Sequence, residues 1–257
     1  MPKVSIPIVS DPDAQAFLNA AVITNVTQAN AINTLVIDLK GYSIWTKFKA
    51  IYPIVGGTAS QHKFNLKDPR DLDAAFRLTF ATGWTHSSNG MVGNGTSAFA
   101  DTKLTPSTDL NLNSHSFGIY SRTNNTSGNQ VYGSFLTGLS YFLQNNITGA
   151  NFVSGGVSNI LSYTANPTTS LLMLSRTSGT LSKAFRANVS LGTDTNLIPG
   201  LPNLSFYLGA RSDLAGASFY SVHQLAFAFL GDGLTDTDSA NLYTAVQAYQ
   251  TTLGRQV

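Results

Sequence analysis

The loop from Gly83 to Thr96 carries the residue types of a sugar-binding site. It reads GWTHSSNGMVGNGT, in which Trp84 and His86 offer flat ring faces and Asn89 and Asn94 offer amide groups. Sugar recognition combines apolar contact with a few well-placed polar groups that hydrogen-bond hydroxyls. Two other polar loops, SRTNNTSGNQ and ARSDLAG, could join this one and would add Asn124, Asn125, Arg211 and Asp213. We therefore predict contact with a glycan or a protein partner at these side chains.

A structural role is the competing interpretation of the same residues. Trp side chains are largely buried on average, so Trp84 could be a core residue at the end of a strand. The polar loops would then be solvated turns, because Asn, Ser and Gly are the usual turn residues. Both interpretations stay open at the level of the sequence.

Catalysis by paired carboxylates is disfavoured. All 13 acidic residues are Asp, and the chain contains no Glu. Glycoside hydrolysis needs two carboxyl groups at a defined separation, and the nearest groups are Asp68/Asp71/Asp73 and Asp232/Asp236/Asp238. Both groups fit turns and helix caps better. No GxSxG elbow is present, although a Ser-His-Asp triad built from distant residues stays open. We expect a protein without enzymatic activity.

Metal and cofactor binding have no specific motif. Cysteine is absent, and the four histidines at 62, 86, 115 and 223 form neither an i, i+4 pair nor an HExxH motif. Calcium is the remaining candidate, because hard cations prefer the oxygen ligands that Asp- and Asn-rich loops provide. The loops concerned are Asn89–Thr96, Asp101–Asp109 and Asp232–Asp238. None has EF-hand spacing, so we predict no cofactor, leave calcium open and name no ligands.

The composition disfavours nucleic acid and membranes as partners. Of 257 residues only 11% are charged, and the net charge is +2. No run of Lys or Arg supplies the electrostatic footprint of a nucleic-acid binder. No segment reaches the roughly 18 apolar residues of a membrane span, and the opening MPKVSIPIVSDPDAQ lacks a secretory apolar region. We expect neither a nucleic-acid partner, nor membrane insertion, nor an export signal.

The N-terminal 55 residues predict an arm and helices. Asp11 and Pro12 suit a helix start, and Ile32, Leu35, Val36 and Leu39 share one face of a second helix that runs from Thr27 to Gly41. Ser43 could cap a third helix, SIWTKFKAIY, in which Trp45, Phe48 and Tyr52 would form an aromatic stripe. We predict that residues 1–55 attach or pack and that residues 56–257 form a β-sandwich.

Short strand patterns follow from Gly56 onward. Aromatic and β-branched runs recur between Gly, Asn, Ser and Pro, which is typical of an antiparallel sandwich or jelly roll. In KAFRANVSLG, apolar and polar residues alternate as in one strand. The predicted strands are Lys63–Lys67, Phe76–Ala81, Ala98–Lys103, His115–Thr123, Gln130–Leu136, Leu139–Asn146, Phe152–Ser154, Asn159–Thr164, Leu171–Thr177, Lys183–Leu191, Leu204–Arg211 and Ala217–Gly231.

A helix closes the chain. Thr235 suits the N-cap, Asp238 completes a capping box, and the helix is predicted over residues 236–253. Leu242, Val246, Tyr249 and Leu253 fall on one face of it. Since four large apolar side chains contribute on the order of 6–12 kcal/mol when buried, we expect this helix to dock on the strands.

Three blocks of the sequence carry a family resemblance. They are NTLVIDLKGYSIWTKFKAIYPIVGGTASQHKFNLKDPRDLDAAFRLTF, GWTHSSNGMVGNGTSAFADTKLTP and SFYSVHQLAFAFLGDGLTD. These blocks look like lectin-fold virion proteins of tailed bacteriophages. The last strand and the helix after it resemble the end of concanavalin A-like, laminin-G-like jelly rolls. The resemblance covers nearly the whole chain, but its motifs are architectural, so no catalytic or binding residue carries over.

The resemblance implies both a fold and a setting. The fold is a mainly β, concanavalin A-like antiparallel jelly-roll sandwich with a small helical N-terminal region and a C-terminal helix. The setting is the virion, assembled in the host cytoplasm, where a non-enzymatic structural protein of tail or capsid surface would contact other virion proteins as a homo-oligomer. A carbohydrate-binding module that recognises host-surface glycan is the alternative, and a polysaccharide-cleaving enzyme comes last.

Overall fold

The computed structural model describes residues 5–124, 130–146, 149–155, 160–162 and 168–257. Its helices are α1 Pro12–Ala21, α2 Val26–Gly41, α3 Ala59–His62, α4 Pro106–Asp109 and α5 Asp236–Thr252. Short 3-10 turns occupy Trp45–Lys47 and Asp73–Ala75. Among the described residues, no helix has both the length and the apolar character to cross a membrane.

Seventeen strands complete the described structure. In chain order they are β1 Phe48–Tyr52, β2 Thr79–Phe80, β3 Trp84–Ser87, β4 Gly90–Gly93, β5 Ala100–Asp101, β6 His115–Ser121, β7 Gln130–Leu136, β8 Leu139–Asn146, β9 Gly149–Gly155, β10 Ile160–Ser162, β11 Ser170–Ser178, β12 Leu181–Arg186, β13 Val189–Asp194, β14 Tyr207–Leu208, β15 Arg211–Asp213, β16 Gly216–Ser218 and β17 Gln224–Gly231.

The strands form two sheets. Sheet 1 has eight strands in the order β13-β12-β11-β6-β17-β4-β3, with β1 also paired to β17. Sheet 2 has nine strands in the order β10-β9-β8-β7-β14-β5-β2, with β15 paired to both β7 and β16. Every pairing is antiparallel except that of β15 with β7, which is parallel. The predicted mainly β sandwich is confirmed, with this one parallel pair as an addition.

The centre of sheet 1 is buried on both faces. Ala228 and Leu230 of β17 point into the core between the two sheets, and the alternate residues Phe227 and Phe229 point into a second core beneath the helices. Helices α1, α2 and α5 cover that second core. The molecule therefore has three layers, helices, sheet 1 and sheet 2. This double burial explains why β17 reads as the unbroken apolar run LAFAFL instead of alternating with polar residues.

The C-terminal helix is confirmed. The Thr235 side chain accepts a hydrogen bond from the Asp238 backbone, and the Asp238 carboxylate accepts one from the Thr235 backbone, so the predicted capping box is present. Leu242, Val246 and Tyr249 are buried against sheet 1. Tyr249 also donates its hydroxyl to the Pro53 carbonyl at 3.0 Å, which fixes the helix to the segment after β1.

The N-terminal region is confirmed in part. Asp11 caps α1, as predicted, and α2 ends at Gly41. The predicted third helix is wrong, because Ser43 has φ +60°, whereas an N-cap residue needs extended backbone. Phe48–Tyr52 instead form β1, with Phe48 in the helix-side core and Tyr52 in the sandwich core, so the aromatic stripe does not exist. The division at residue 55 stays a prediction, although β1 joins sheet 1.

Three strand predictions and one loop prediction need correction. The predicted strand from Ala217 to Gly231 is two strands, because β16 ends at Ser218 and β17 begins at Gln224. Lys63–Lys67 form no strand; Asn65 there makes an isolated bridge to Asp68. The run from Lys183 to Leu191 is two strands, since Ala187 has φ +57° and turns the chain into β13, which breaks the predicted alternation. The loop from Gly83 to Thr96 is largely the hairpin β3–β4, which turns through Ser88 and Asn89 between the paired residues Ser87 and Gly90.

Candidate functional site

The outer face of sheet 2 is the side of the sandwich opposite the helices. Successive strand residues point to opposite faces, so Tyr132 and Tyr141 enter the sandwich core while Phe135 and Phe142 point outward. Further along this face, Phe99 and Tyr207 stack with ring centroids 4.6 Å apart and an interplanar angle of 18°. Aromatic rings therefore cluster on the face that helices α1, α2 and α5 leave uncovered.

Arg211 lies at the centre of this cluster. The parallel pairing of β15 with β7 sets Arg211 opposite Gly133. The guanidinium carbon lies 4.4 Å from the ring centroid of Phe135, 4.4 Å from that of Phe219 and 5.9 Å from that of Phe142. Such contacts contribute on the order of 0.5–2 kcal/mol each. Arg211 thus holds three rings in place through cation–π contacts.

Asp213 orients the guanidinium from its edge. Its Oδ2 accepts hydrogen bonds from Arg211 Nη2 at 2.9 Å, from Arg211 Nε at 3.2 Å and from the Ser218 hydroxyl at 2.6 Å. No donor in the described part of the chain reaches the other oxygen, Oδ1. The Arg211 and Asp213 side chains each keep 18% of their surface exposed. We call Phe135, Phe142, Arg211, Asp213 and Phe219 the arginine–aromatic face.

Phe219 sits on the arginine–aromatic face with a strained backbone. Its φ is +54°, in the left-handed region that side chains larger than Gly rarely adopt, and 40% of its surface is exposed. An exposed aromatic residue held in such a conformation is more often found at a functional site than elsewhere. The strain places the Phe219 ring over Arg211 instead of leaving it in solvent.

A shallow cavity opens beside these residues. Its volume is about 230 Å³, and Leu214 in its wall is 76% exposed. The lining residues are Phe135, Leu136, Thr137, Asp213, Leu214 and Ala215. The site thus combines apolar walls, a carboxylate oxygen with spare hydrogen-bonding capacity and a fixed cation, which are the groups that a small polar ligand requires.

Sequence reasoning found two members of this site and missed three. Arg211 and Asp213 were predicted as contact residues, and the structure pairs them directly. Phe135, Phe142 and Phe219 were missed, although the first two carry a signal. In YGSF and YF, aromatic residues occupy both faces of a strand, which leaves one ring outside the sandwich core. The pairing of β15 with β7 had no signal in the sequence.

The predicted pair Trp84 and His86 lies on β3, at the rim of the sandwich core. Trp84 meets Phe80 at a centroid distance of 6.2 Å, and a Cβ added to Gly209 would lie 2.5 Å from its ring. His86 meets Phe80 at 4.8 Å. The two predicted residues are close together, with ring centroids 6.4 Å apart, but both rings pack largely on their own neighbours. Their role as a glycan platform stays a prediction.

The predicted asparagines are dispersed. Asn94 Oδ1 accepts from the backbone of Ser97 at 2.9 Å and of Ala98 at 3.1 Å, so its amide holds the turn after β4. Asn89 is exposed at the β3–β4 turn. Asn124 Oδ1 accepts from the Thr168 backbone at 3.0 Å. Asn125 lies outside the described residues. None of the three described asparagines contacts Arg211 or Asp213.

The acidic clusters are paired with cations. Asp68 binds Arg70, and Asp71 binds Lys63 and Arg77. At the start of α5, Asp236 binds Lys183 and Asp238 binds Lys47. Across the described ranges, no three His or Asp side chains lie close enough to hold a metal ion, and this includes the three loops considered for calcium.

His62, which is buried, contacts His86 of β3, which is half-buried. Their Nδ1 atoms lie 2.9 Å apart, so one ring donates a hydrogen bond to the other. Burial, and then the nearby His86 and Arg255, lower the pKa of His62 from 6.5 to about 3. Burial likewise lowers the pKa of His115 to about 4. In the folded protein, His62 and His115 therefore stay neutral well below pH 6.5, the pH near which they take up a proton in the unfolded chain.

Stability should fall as the pH drops below 6.5. The unfolded chain takes up a proton at each of these histidines near pH 6.5, whereas the folded chain does not until about pH 4 or below. Each histidine then lowers the free energy of unfolding by about 1.4 kcal/mol per pH unit. Urea unfolding between about pH 7.5 and 5 measures this slope before most Asp residues titrate.

His62→Gln isolates one of the two contributions. The variant should show a shallower loss of stability between pH 6.5 and 5 than the parent chain, because it lacks one of the protonating groups. An identical slope in both proteins contradicts the assignment of His62 as a buried neutral group.

Comparison with known proteins shows the fold. No family model matches the chain, and no curated protein matches its sequence. A sialidase from Trypanosoma rangeli, in complex with 2-keto-3-deoxy-D-glycero-D-galacto-2,3-difluoro-nononic acid, is similar in structure. Its TM-score is 0.54 at 10% identity, and the match covers 84% of this chain and 39% of the sialidase chain.

Two neurotoxin domains are similar as well. The binding domain of botulinum neurotoxin serotype D has a TM-score of 0.52 at 8% identity, over 79% of this chain and 52% of that one. The binding domain of botulinum neurotoxin DC, in complex with rat synaptotagmin II, has a TM-score of 0.53 at 7% identity, over 79% and 53%. This chain spans between 39% and 53% of the length of these three proteins. At such identities the likeness establishes a lectin-like β-sandwich fold alone.

Proposed function

We propose that this chain is a non-enzymatic carbohydrate-recognition protein that binds glycans through the arginine–aromatic face. One observation carries the proposal. On the side of the sandwich away from the helices, Arg211 lies 4.4 Å from each of two phenylalanine rings, beside a carboxylate oxygen that has no protein partner among the described residues. Apolar ring faces next to spare polar groups match the two sides of a sugar, its C–H face and its hydroxyls.

The fold is consistent with this proposal. The similar sialidase was solved in complex with a sugar derivative, and the two similar neurotoxin regions are described as binding domains. An enzymatic role has less support, because the acidic clusters at 68–73 and 236–238 are engaged by Lys and Arg. Glycoside hydrolysis by a carboxyl pair requires one group free to act as an acid and one as a base or nucleophile.

Phe219→Ala tests the proposal. We expect the variant to bind an immobilised glycan array at least about 10-fold more weakly than the parent, since a lost aromatic contact in a binding site costs on the order of 1–2 kcal/mol. The matched control is Tyr42→Ala, which removes an aromatic ring exposed to 37%, against 40% for Phe219, at the end of α2 on the helix side.

Three outcomes are distinguishable. Weaker binding by Phe219→Ala with Tyr42→Ala unchanged supports the site. Equal losses in both variants mean that glycans bind elsewhere. Absence of binding to every glycan by the parent chain overturns the proposed function itself. Thermal unfolding of each variant shows whether a loss of binding reflects a loss of folded protein.

We further propose that the chain acts on a bacteriophage virion, as a tail or capsid-surface component. Support comes from the three sequence blocks that resemble lectin-fold virion proteins of tailed phages. The N-terminal arm and helices would then contact other virion proteins, including copies of this chain, while the arginine–aromatic face points to the host surface. Ile8 in the arm, which is 93% exposed, suits such a contact.

Mass spectrometry of density-banded particles tests the virion role. Peptides of this chain at a fixed ratio to the major capsid protein are the expected result. Protein found free in the lysate and absent from the particles contradicts the virion role and leaves carbohydrate recognition as a separate function.

A further inference from the structure

The arginine–aromatic face carries no net charge. Asp213 binds the guanidinium of Arg211 at 2.9 Å, so the only cation at its centre is neutralised by a carboxylate. Asp101 and Lys103 form another ion pair on the same outer face, at 2.9 Å, and this pair also has no net charge. Because paired opposite charges cancel at longer range, this face offers little attraction to an anion.

The geometry of Arg211 further limits its use as an anion receptor. The rings of Phe135 and Phe219 each lie 4.4 Å from its guanidinium carbon, and Asp213 occupies the Nε–Nη2 edge. That edge is where a carboxylate would bind with two parallel hydrogen bonds. A second carboxylate brought to this site would also lie beside the negative charge of Asp213, and like charges repel in a partly buried site.

The remaining polar atoms suit hydroxyl groups. Asp213 Oδ2 accepts three hydrogen bonds, whereas Oδ1 accepts none from the described residues, and Asp213 lines the cavity of about 230 Å³. A carboxylate oxygen can only accept, so it needs a donor such as a sugar hydroxyl. Leu214 and Phe135 in the cavity wall supply apolar surface for the C–H side of the ring.

We infer that the ligand of this face is an uncharged, hydroxyl-rich sugar rather than an acidic one. The inference rests on the proposed function and specifies its ligand class. The cavity is smaller than the roughly 300–1,000 Å³ of sites for drug-sized ligands, so it fits the terminal residue of a glycan better than a long segment. A donor hydroxyl of that residue would bind Asp213 Oδ1, and its apolar side would pack on Leu214 and Phe135.

The test is an array in which neutral oligosaccharides stand beside the same oligosaccharides capped with sialic acid or a uronic acid. The parent chain should bind neutral members about 10-fold or more tightly than their acidic counterparts, the ratio expected when one charge-assisted hydrogen bond is replaced by repulsion. Binding of the neutral members should also be nearly independent of NaCl concentration, because no net charge is involved.

Asp213→Asn should narrow or reverse that preference. The variant keeps the shape of the side chain but removes its charge, so Arg211 becomes an unneutralised cation. The affinity for the acidic oligosaccharides should therefore rise. Neutral members should weaken about 10-fold, because a charged acceptor is lost. The matched control is Asp236→Asn, which removes the same charge from an ion pair with Lys183 at the start of α5. That control should keep the parent pattern.

The outcomes separate this inference from the proposed function. Tighter binding of acidic members by the parent chain overturns the inference and leaves glycan recognition standing. Binding of the neutral members that weakens steeply with salt also overturns it. No binding to any member overturns the proposed function. The salt measurement uses the parent chain alone, so the inference stays testable even if Asp213→Asn does not fold.

Discussion

Replacing Arg255 by methionine should lower the free energy of unfolding by about 3–5 kcal/mol, because each buried acceptor that loses its donor costs on the order of 1–3 kcal/mol. Arg255 is fully buried just after α5. Its guanidinium donates to the carbonyls of Ile54 at 2.8 Å and Ala226 at 3.2 Å and to the Gln250 side chain at 2.9 Å. The variant leaves these acceptors buried without their donor.

The Arg255 network connects three parts of the fold. Ile54 follows β1, Ala226 lies in β17 and Gln250 lies in α5, so one side chain links the C-terminal helix to the centre of sheet 1. No carboxylate of the described residues pairs with Arg255; its donors end on neutral oxygens, and burial lowers the pKa of Arg255 from its usual value. A buried charge held mainly by carbonyl dipoles depends on those hydrogen bonds.

Denaturant unfolding measures this effect, with Arg70→Met as the control. Arg70 is 64% exposed and pairs with Asp68 on the surface, so its replacement should change stability by less than about 0.5 kcal/mol. Arg255→Lys should lie between the two, because it keeps the charge but not the planar set of donors. A loss below about 1 kcal/mol in Arg255→Met would contradict the central role of this network.

Gly133→Ala is expected to have the next largest effect, with a loss of about 2–5 kcal/mol in the free energy of unfolding. Gly133 has φ +143°, and a Cβ there would lie 2.3 Å from the Tyr141 carbonyl oxygen and 2.5 Å from Phe142 Cβ. The backbone of β8 would have to shift. Because Gly133 pairs with Tyr207 and Arg211, the shift should also disturb the arginine–aromatic face and weaken glycan binding.

Gly138→Ala is the matched control. Gly138 lies in the turn of the same β7–β8 hairpin and has φ +83°, but a Cβ there would have nothing within 4 Å. It should therefore cost only the backbone strain of about 1–2 kcal/mol and leave glycan binding intact. Equal losses in the two variants would show that the close contact with Tyr141 relaxes, and this would remove the reason for glycine at position 133.

The fold was predictable where local signals agree with burial. The cap residues Asp11 and Thr235 start α1 and α5 as expected, and β7 and β8 match the predicted Gln130–Leu136 and Leu139–Asn146. In these elements the side-chain period, the turn residues and the caps indicate the same structure. Consistency among local signals is what makes an element readable from sequence.

Predictions of secondary structure were wrong where tertiary contacts determine which element forms. Phe48–Tyr52 has a helix-compatible aromatic spacing, yet it pairs with β17 and is buried on both faces. At Ala187 the chain turns with φ +57° without a glycine to mark the turn. Strands β3 and β4 have only four residues each and lie among Gly, Ser and Asn, so the sequence predicts a loop there. In each case the competing local pattern is weaker than the gain from pairing with sheet 1.

The candidate site was predictable only as chemistry. Arg211 and Asp213 stood out as charged residues in a polar loop of a chain with few charges. Their aromatic neighbours come from β7, β8 and the segment after β16, which lie far apart in the sequence and meet through a parallel pairing. The spacing of residues along the chain cannot predict these contacts, because the contacts depend on which strands pair with each other.

The double burial of sheet 1 has a consequence for how the chain is made. β17 contains no charged residue, and neither does Ser170–Ser175 of β11, so both segments have the composition of aggregation-prone strands. During synthesis both emerge before α5, which shields them in the folded protein. Both segments are buried in the folded protein, whereas they are exposed in the growing chain. Losses during production are therefore expected from aggregation of incomplete or unfolded chains, and cooler, slower expression should reduce them.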